Sequence, residues 1–406
     1  MDEQMTRDKL AIHGGPKTIA DPMPARGQFG PDALDMVKAV FESALQKSRD
    51  FGYQGEFEDR YTDAFRRFMG GGYADGVSSG TAAVLVSLSA LELPAGSEVL
   101  VSPVTDPGGV SPVVFARHGP KVVDAAEGSF NIGPDELARA ISPRSRAVIV
   151  THVGGVPADM AGITAVAEAH GIAVIEDCSQ AHGATIAGRP VGTFGEIAAF
   201  STMFGKAHST GGCGGVVYTR DESLYWRARS LADRGKPFHR RDFDAKDPST
   251  FLFPALNFNL DELSAAIGCH TLERLPETIR RRREIAGMWT DALSQNPVLR
   301  GLPVAPSLAP SPFFYTVVFR DPVSLETKQR FTEALIAEGV WLNPHYRFAV
   351  SEWDWLAPYL TEPARTPNAC ALRDRSFNLL FHEGFTDASV AKTVQAIDKV
   401  TTNLPI

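Results

Sequence analysis

Short apolar runs alternate with helical patterns through the first half of this 406-residue chain. In the intervening segments, such as residues 134–141 and 163–170, apolar residues recur at the spacing of a helix that packs one face. The six predicted strands are Glu98–Val101, Lys121–Val123, Ala147–His152, Ala173–Asp177, Ile197–Thr202 and Val216–Thr219. This alternation is typical of strands joined by helical crossovers, and it predicts an α/β fold with a mostly parallel sheet.

Two breaks in the pattern predict the domain organisation. Residues 1–30 are rich in Gly and Pro and are expected to form an extended N-terminal arm. Near residues 240–256 the periodicity stops, which indicates an exposed loop close to a domain boundary. The sequence therefore predicts a large domain at residues 31–255 and a smaller C-terminal α/β domain at residues 256–406.

Further helices are predicted on both sides of this boundary. In residues 32–46 the apolar side chains, including Leu34, Phe41 and Leu45, fall on one face, which we interpret as packing surface. A long helix is predicted from Asp261 to about Thr290, and Arg280–Arg283 is interpreted as its polar side. The remaining predicted elements are helices at 57–69, 328–338 and 387–400 and a strand at 314–319.

Composition argues against several classes of function. The 40 basic and 48 acidic residues give a net charge of −8, which disfavours a nucleic-acid partner. The four cysteines lie far apart without metal-ligand spacing, so neither a metal site nor a disulfide framework is predicted. The N-terminus does not resemble a signal peptide, and no apolar run is long enough to span a membrane. These features predict a cytoplasmic protein without a membrane partner.

One lysine stands out from the other basic residues. Between Phe200 and Tyr218 the only charged side chain is that of Lys206, in a loop of small residues that follows Met203 and Phe204. A lysine in a loop is usually a solvated surface charge. Here the surroundings predict a partly desolvated, glycine-lined cavity. Desolvation disfavours the ammonium form, so the amine becomes available for a Schiff base with an aldehyde such as pyridoxal phosphate.

A helix is predicted to begin at Ser79-Gly80-Thr81. The free N–H groups and the partial positive charge of a helix N-terminus suit an anion, although an ordinary cap with nothing bound is the alternative. Residues 76–80 also match the nucleophile elbow of α/β-hydrolases, with Ser78 as the nucleophile. The preceding residues, 70–75, are poorly suited to the strand that such an elbow requires.

Several polar residues end or follow predicted strands, where mostly parallel sheets bind ligands. Asp177 ends one buried strand, and an acid there can serve merely as a helix cap or loop hydrogen-bonder. A carboxylate in this position also suits the pyridine nitrogen of pyridoxal phosphate, because a nearby negative charge keeps that nitrogen protonated. The other residues at strand ends are Asp106, His152, Gln180 and Lys206.

Taken together and in order, these residues resemble the DegT/DnrJ/EryC1/StrS family of pyridoxal phosphate aminotransferases, often called sugar aminotransferases. The resemblance covers nearly the whole chain. The motifs that carry it are Gly14-Gly15-Pro16, Ser79-Gly80-Thr81, residues 151–160 and 176–184, Phe200-Ser201 to Lys206, Gly214-Gly215, and residues 257–263 and 380–387. It implies fold type I, the aspartate-aminotransferase type, with pyridoxal phosphate as cofactor and a homodimer whose subunits share active sites.

The resemblance also implies individual roles. Lys206 would carry the cofactor through an imine and move the proton, and Asp177 would hold the pyridinium. Gln180 would lie against the cofactor ring near its hydroxyl. The implied phosphate-binding residues are Ser79, Gly80, Thr81 and Ser201 and, from the neighbouring subunit, Asn257.

Some positions depart from the family pattern. Where an aromatic residue usually stacks on the ring, residues 105–109 offer only Asp106 or Pro107 to line that face. Cys213 replaces the usual acid before Gly214-Gly215, and Asn259 replaces a usual arginine. These departures argue against a common nucleotide-sugar substrate. Gly205-Lys206 and the Gly-Gly-Pro arm favour the branch that acts on cyclitols and antibiotic sugar precursors.

We therefore expect a transaminase that moves an amino group from glutamate or glutamine to a keto-sugar or keto-cyclitol. A dehydratase of the same fold would have histidine in place of Lys206, and His208 is close by in sequence. An α/β-hydrolase would use Ser78 with a late acid and His382. A regulatory module would retain the cofactor without turnover.

Overall fold

A computed structural model describes residues 9–405, so the first eight residues of the predicted arm lie outside the described part. The N-terminal residues that do not resemble a signal peptide, 1–9, lie almost entirely outside the described part as well. The core of the larger part is a seven-stranded sheet in the order β1-β9-β8-β5-β4-β2-β3. Its strands are β1 (Tyr73–Val77), β2 (Glu98–Val101), β3 (Gly119–Val122), β4 (Ser145–Thr151), β5 (Ala173–Asp177), β8 (Ile197–Ser201) and β9 (Gly215–Thr219). Only β9 runs against the others, which confirms the predicted mostly parallel sheet.

Helices cover both faces of this sheet, because its central strands are apolar on both sides. Alternate residues of β4 show this directly: Ile149 enters one hydrophobic core, while Val148 and Val150 enter another. The helices of this part are α1 (Pro31–Lys47), α2 (Glu56–Phe68), α3 (Gly80–Ala90), α4 (Ser111–Phe115), α5 (Pro134–Ala140), α6 (Met160–His170) and α7 (Glu222–Ala232).

A second sheet of four strands follows, in the order β10-β12-β14-β13. Its strands are β10 (Leu299–Gly301), β12 (Tyr315–Phe319), β13 (Leu342–Asn343) and β14 (Ser376–Leu379), with helices α8 (Glu262–Ser294), α9 (Leu325–Ala337), α10 (Pro367–Asp374) and α11 (Asp387–Asn403). A small third sheet joins β6 (Thr185–Ile186), β7 (Arg189–Pro190) and β11 (Leu308–Ala309). Thus β11, from the C-terminal part, pairs with a hairpin of the large part.

Helix α8 runs from one core to the other. Its residues from Ala265 to Ile279 pack in a core of the large part, whereas Ile285, Trp289 and Leu293 pack beneath the second sheet. The two cores therefore meet within this helix, past residue 279. The boundary predicted between residues 255 and 256 stays a prediction, and it precedes a helix that belongs to both cores.

Three sequence interpretations prove wrong in part. The sequence of residues 70–75 is poorly suited to a strand, yet residues 73–75 belong to β1, which pairs along its whole length with β9. The apolar face of α1 is not fully packed: Val40 is buried, whereas Leu34 and Leu45 are exposed. The run Arg280–Arg283 is not one polar side, because four successive helical residues point around a full turn. Arg282 is accordingly buried, whereas Arg280 is exposed.

The two parts are held together by loops that approach closely. Phe313 donates its backbone N–H to the carbonyl of Gly154, and Ser311 donates to that of Gly155, both at 2.9 Å. Gly155 has a left-handed φ of 82°, and a Cβ there would overlap the carbonyl oxygen of Ser311. Glycine at this position therefore permits the contact.

We expect Gly155→Ala to destabilise the protein by about 2 kcal/mol more than Gly171→Ala, since only the first adds a backbone overlap. Gly171 is the matched control because its φ is also left-handed, at 63°, and a Cβ there meets nothing within 4 Å. Its substitution should cost about 1 kcal/mol from conformation alone. Chemical denaturation of both variants tests this. Equal destabilisation would contradict the proposed contact.

Candidate active site

A cavity of about 200 Å³ opens at the edge of the large sheet where the parallel strands end. Asp177 ends β5, Thr151 ends β4 and Ser201 ends β8, and the antiparallel β9 begins at the same edge. Eight of the ten predicted site residues line this cavity: Ser79, Gly80, Thr81, Asp106, Asp177, Gln180, Ser201 and Lys206. Topology thus brings together residues that are more than one hundred positions apart in sequence.

The loop that carries Lys206 is fixed on several sides. Its base is closed by a hydrogen bond from the Thr202 N–H to the Gly214 carbonyl at 2.8 Å. The guanidinium of Arg26 donates to the carbonyls of Phe204 at 3.0 Å and Lys206 at 2.6 Å. Gln28 donates to the same lysine carbonyl at 3.3 Å. The backbone beneath the amine is therefore held by residues of the N-terminal arm.

Arg26 is itself part of a partly buried ion network. Glu383 accepts from Arg26 at 2.9 Å through one oxygen and from Arg282 at 2.9 Å through the other. Burial is the largest single effect on the pKa of Glu383 and raises it, but the two guanidinium groups and the hydrogen bonds together outweigh burial, so the pKa lies below its ordinary value. One carboxylate thus joins the arm, helix α8 and the segment after β14 around the lysine loop.

The amine of Lys206 lies against an aromatic ring within a cavity that two carboxylates also line. Its Nζ is 4.7 Å from the centroid of the Phe313 ring, a cation–π distance. Burial lowers the pKa of Lys206 below its ordinary value, although the carboxylates of Asp177 and Asp106 act in the opposite direction. The amine therefore loses its proton more readily than that of a solvated lysine, which is the direction expected for a desolvated site.

The predicted anion site is built on the N-terminus of α3. Ser79 caps this helix by accepting the N–H of Ala82 at 3.0 Å. A Cβ at Gly80 would lie 2.5 Å from that of Ser201, so glycine lets the helix terminus approach the end of β8. The hydroxyls of Thr81 and Ser201 and the terminal N–H groups then face one cavity. This donor set suits a phosphate group.

The opposite wall holds Asp177 and Gln180. Asp177 is buried, and it accepts the N–H of Ser179 at 3.1 Å. A Cβ at Gly109 would lie 3.4 Å from the other carboxylate oxygen of Asp177, so the backbone of Gly109 passes close to this carboxylate. Gln180 accepts the N–H of Gly154 at 2.7 Å, which fixes the orientation of its amide.

Two predicted residues are not brought into the cavity. Pro107 begins a short turn whose Gly108 and Gly109 line the cavity instead. Asp106 does line the cavity, and it caps this turn by accepting the Gly108 N–H at 2.9 Å. Asn257 is exposed, and its side chain accepts from Asn259. Its predicted role depends on a second subunit and stays a prediction.

The sequence reasoning missed Arg26, Gln28, Phe313 and Tyr346. None of the four belongs to a motif with a chemical signature. Tyr346 is buried, which raises its pKa, and its interaction with Gln180 partly offsets that rise. Arg26 could have been noticed as the one basic residue in the Pro-rich segment 20–30, but its target lies 180 positions away. Only the folded chain shows that contact.

The residues that a dehydratase or a hydrolase would use, His208, Ser78 and His382, do not line the Lys206 cavity. His208 is buried between Tyr61, at 2.7 Å, and Thr271, at 2.9 Å, and burial lowers its pKa to about 3. Ser78 follows β1, whereas His382 packs against Trp341 and Phe385 in the second core. In the described residues no hydrogen bond joins Ser78 to His382, so the hydrolase geometry is not formed.

One buried group could suggest a metal site, formed by His152, Glu176 and Cys178. Glu176 already accepts the N–H groups of Gly192, Phe194 and Gly195 at 2.6–2.8 Å. It also meets His152 Nε2 at 3.2 Å. Its oxygens are thus saturated, and the group acts as a buried polar support under the end of β5.

Comparison with known proteins agrees with this geometry. A model of the DegT/DnrJ/EryC1/StrS aminotransferase family matches residues 35–398. The chain belongs to this family. Like its members it is an aminotransferase that uses pyridoxal phosphate, as predicted. Among the described residues, every helix is too short or too polar to cross a membrane.

Individual family members cover most of the chain. The L-glutamine:2-deoxy-scyllo-inosose aminotransferase of Micromonospora echinospora is 35% identical over 289 residues, 70% of this chain and 68% of that protein. The GDP-perosamine synthase of Caulobacter vibrioides is 30% identical over 354 residues, 85% of this chain and 90% of that protein. The solved aminotransferase from Psychrobacter cryohalolentis has a TM-score of 0.84 at 29% identity, covering 96% of this chain and all of that one. The predicted fold is confirmed.

The residues present fit the family's cofactor. The helix N-terminus with Gly80, Thr81 and Ser201 offers phosphate donors, and Asp177 offers a carboxylate. Lys206 offers an amine in the same cavity. The requirement for an anion site, an acid and a primary amine within one pocket is therefore met by this chain.

We expect Asp106→Asn to lower the pKa of Lys206 further, because it removes a carboxylate that raises that pKa. The rate at which an acylating reagent modifies Lys206 in the cofactor-free protein, followed by peptide mass spectrometry, should then reach half its maximum at lower pH. Asp321→Asn, on an exposed turn outside the cavity, is the matched control. An unchanged midpoint in Asp106→Asn would contradict the electrostatic assignment.

Proposed function

We propose that this protein transfers an amino group from glutamine or glutamate to a keto-cyclitol or keto-sugar in amino-sugar or natural-product biosynthesis. The observation that carries the proposal is the joint placement of Lys206, Asp177 and the N-terminus of α3 around one cavity. When bound there, pyridoxal phosphate supplies a ring that draws electrons from the carbon undergoing proton transfer.

The chain's own residues supply the rest. Lys206 would carry the cofactor and would move the proton during the reaction, a role that its lowered pKa favours. Asp177 would hold the pyridine nitrogen in its protonated form, and Gln180, whose amide is fixed by Gly154, would contact the ring. Ser79, Gly80, Thr81 and Ser201 would hold the phosphate. Phe313 packs against the amine.

The sequence departures at Cys213 and Asn259 support a keto-cyclitol over a common nucleotide sugar, because both replace charged residues that the family pattern uses for substrate contacts. The relative from Micromonospora echinospora, named for glutamine and a deoxy-inosose, agrees with a keto-cyclitol acceptor.

The proposal includes a homodimer that works in the cytoplasm. Helix α1 exposes Leu34, Phe41 and Leu45, the last at 78% of its surface, and such an apolar stripe suits a subunit interface. Asn257 is exposed and free to reach a neighbouring cavity, consistent with the shared site that the family pattern implies. Each cysteine of the described residues is a free thiol, and the proposed cytoplasmic location would keep thiols reduced.

The direct test is the two half-reactions followed by absorbance. Glutamine or glutamate should convert the bound aldehyde form to the amine form, and a keto-cyclitol should restore it. Lys206→Ala and Lys206→Arg should each slow both steps by about 10²–10⁴-fold or more, because neither side chain can act as the base. A keto-substrate that loses water without any amino donor would support a dehydratase instead.

We expect Leu45→Asp to convert the dimer to a monomer, because a charge would be buried in the interface. Leu325→Asp is the matched control, since Leu325 is 54% exposed on helix α9 of the second part. Light scattering measures the mass of each variant. A dimer that persists in Leu45→Asp, or one lost in the control alone, would exclude α1 as the interface.

A further inference from the structure

A second cavity, of about 370 Å³, lies between the two parts of the molecule and outside the Lys206 site. Its walls come from the segment after β4, from residues 283–290 of helix α8 and from the chain on both sides of β11. Most of the lining is apolar, including Val153, Leu302, Val304 and Phe314. The volume falls within the range of about 300–1,000 Å³ that is typical of small-molecule sites.

One cation projects into this apolar lining. Of the described residues that line the cavity, Arg283 alone is charged. Within residues 9–405 it forms no salt bridge, whereas its neighbours Arg280, Arg281 and Arg282 each pair with a carboxylate. Arg283 donates instead to backbone carbonyls, from Nε to Pro310 at 2.6 Å and from Nη2 to Ala309 at 3.0 Å and Gly183 at 3.4 Å, while its Nη1 has no hydrogen-bond partner among the described residues. Burial lowers its pKa, as expected for a cation without a counter-charge.

The other polar groups of the lining are already paired. Asn131 donates to the Val156 carbonyl at 2.9 Å and accepts the Val153 N–H at 2.9 Å. The hydroxyls of Thr290 and Tyr315 are 2.9 Å apart. The cavity therefore offers an apolar surface and one guanidinium without a counter-charge, whose Nη1 remains to donate to a carboxylate oxygen.

This cavity shares a wall with the catalytic one. Gly154 lines it and donates to Gln180, which lines the Lys206 cavity. Phe314 also lines it, and the adjacent Phe313 covers the Lys206 amine. A ligand in the second cavity would contact the segments that position both residues.

We propose that the second cavity binds a small apolar molecule that carries a single carboxylate, with the carboxylate at Arg283. The site is distinct from the Lys206 cavity, and it does not depend on the proposed substrate. The apolar body of the bound molecule occupies the space beside Leu302, Val304 and Phe314.

The probe is 3-phenylpropionate, compared with 3-phenylpropionamide, which has the same shape and no charge. Calorimetry or ligand-observed NMR on the holoenzyme should give one acid bound per chain, at least tenfold more tightly than the amide. Arg283→Gln should reduce the affinity for the acid to that for the amide. Arg280→Gln, on the exposed side of the same helix turn, should leave both unchanged.

A second pair of variants tests the position. Gly287 lines the cavity, and a Cβ there meets nothing within 4 Å. Gly287→Leu should therefore fill the cavity and abolish binding of both compounds, while Gly287→Ala should retain it. Both replacements raise helix propensity, so the thermal unfolding transition should remain intact.

Three results would overturn the proposal. One is the absence of acid binding by the wild-type protein. Another is equal affinity for acid and amide. The third is binding that persists in Gly287→Leu. If Gly287→Leu did not fold, the comparison of Arg283→Gln with Arg280→Gln would still decide the matter.

Discussion

The structure depends on keeping one primary amine in a largely buried cavity that is bounded by acids. Burial disfavours the charged form of Lys206, whereas Asp177 and Asp106 favour it, and the ring of Phe313 packs against the amine. The opposing effects leave an amine that can attack an aldehyde and later accept a proton. The surrounding fold serves to hold this balance.

Much of that support comes from parts of the chain that do not line the cavity. The arm supplies Arg26, helix α8 supplies Arg282, and Glu383 joins them beneath the lysine loop. If this partly buried carboxylate lost one of these partners, it would retain a poorly compensated charge. The N-terminal arm, the long helix and the C-terminal segment are thus coupled to the position of a single loop.

The sequence predicted the parts of this account that rest on local patterns. Strand and helix periodicity located most strands of the sheet and predicted that they are mostly parallel, whereas their order comes from the structure. Strand ends then located Asp177 and Lys206, and a predicted helix start located Gly80. Parallel sheets place their ligands at the carboxyl ends of their strands, and strand ends can be recognised from the local sequence.

The remaining features depend on packing between distant segments. Arg282 and Arg283 are adjacent, yet one pairs with Glu383 and the other lines an apolar cavity. Nothing in the four-arginine run distinguishes them. The strand β1 was missed because Gly70–Gly72 precede it and its stability comes from pairing with β9, which lies about 140 positions later. Phe313 and Tyr346 reach the site only through contacts of the second sheet.

The most direct measurement is to reduce the native holoenzyme with borohydride and map the modified peptide by mass spectrometry. A phosphopyridoxyl group on Lys206, with no other lysine modified in substantial amount, is the result that the structure predicts. The same group on a different lysine, or a protein that acquires none, would contradict the central role of this amine.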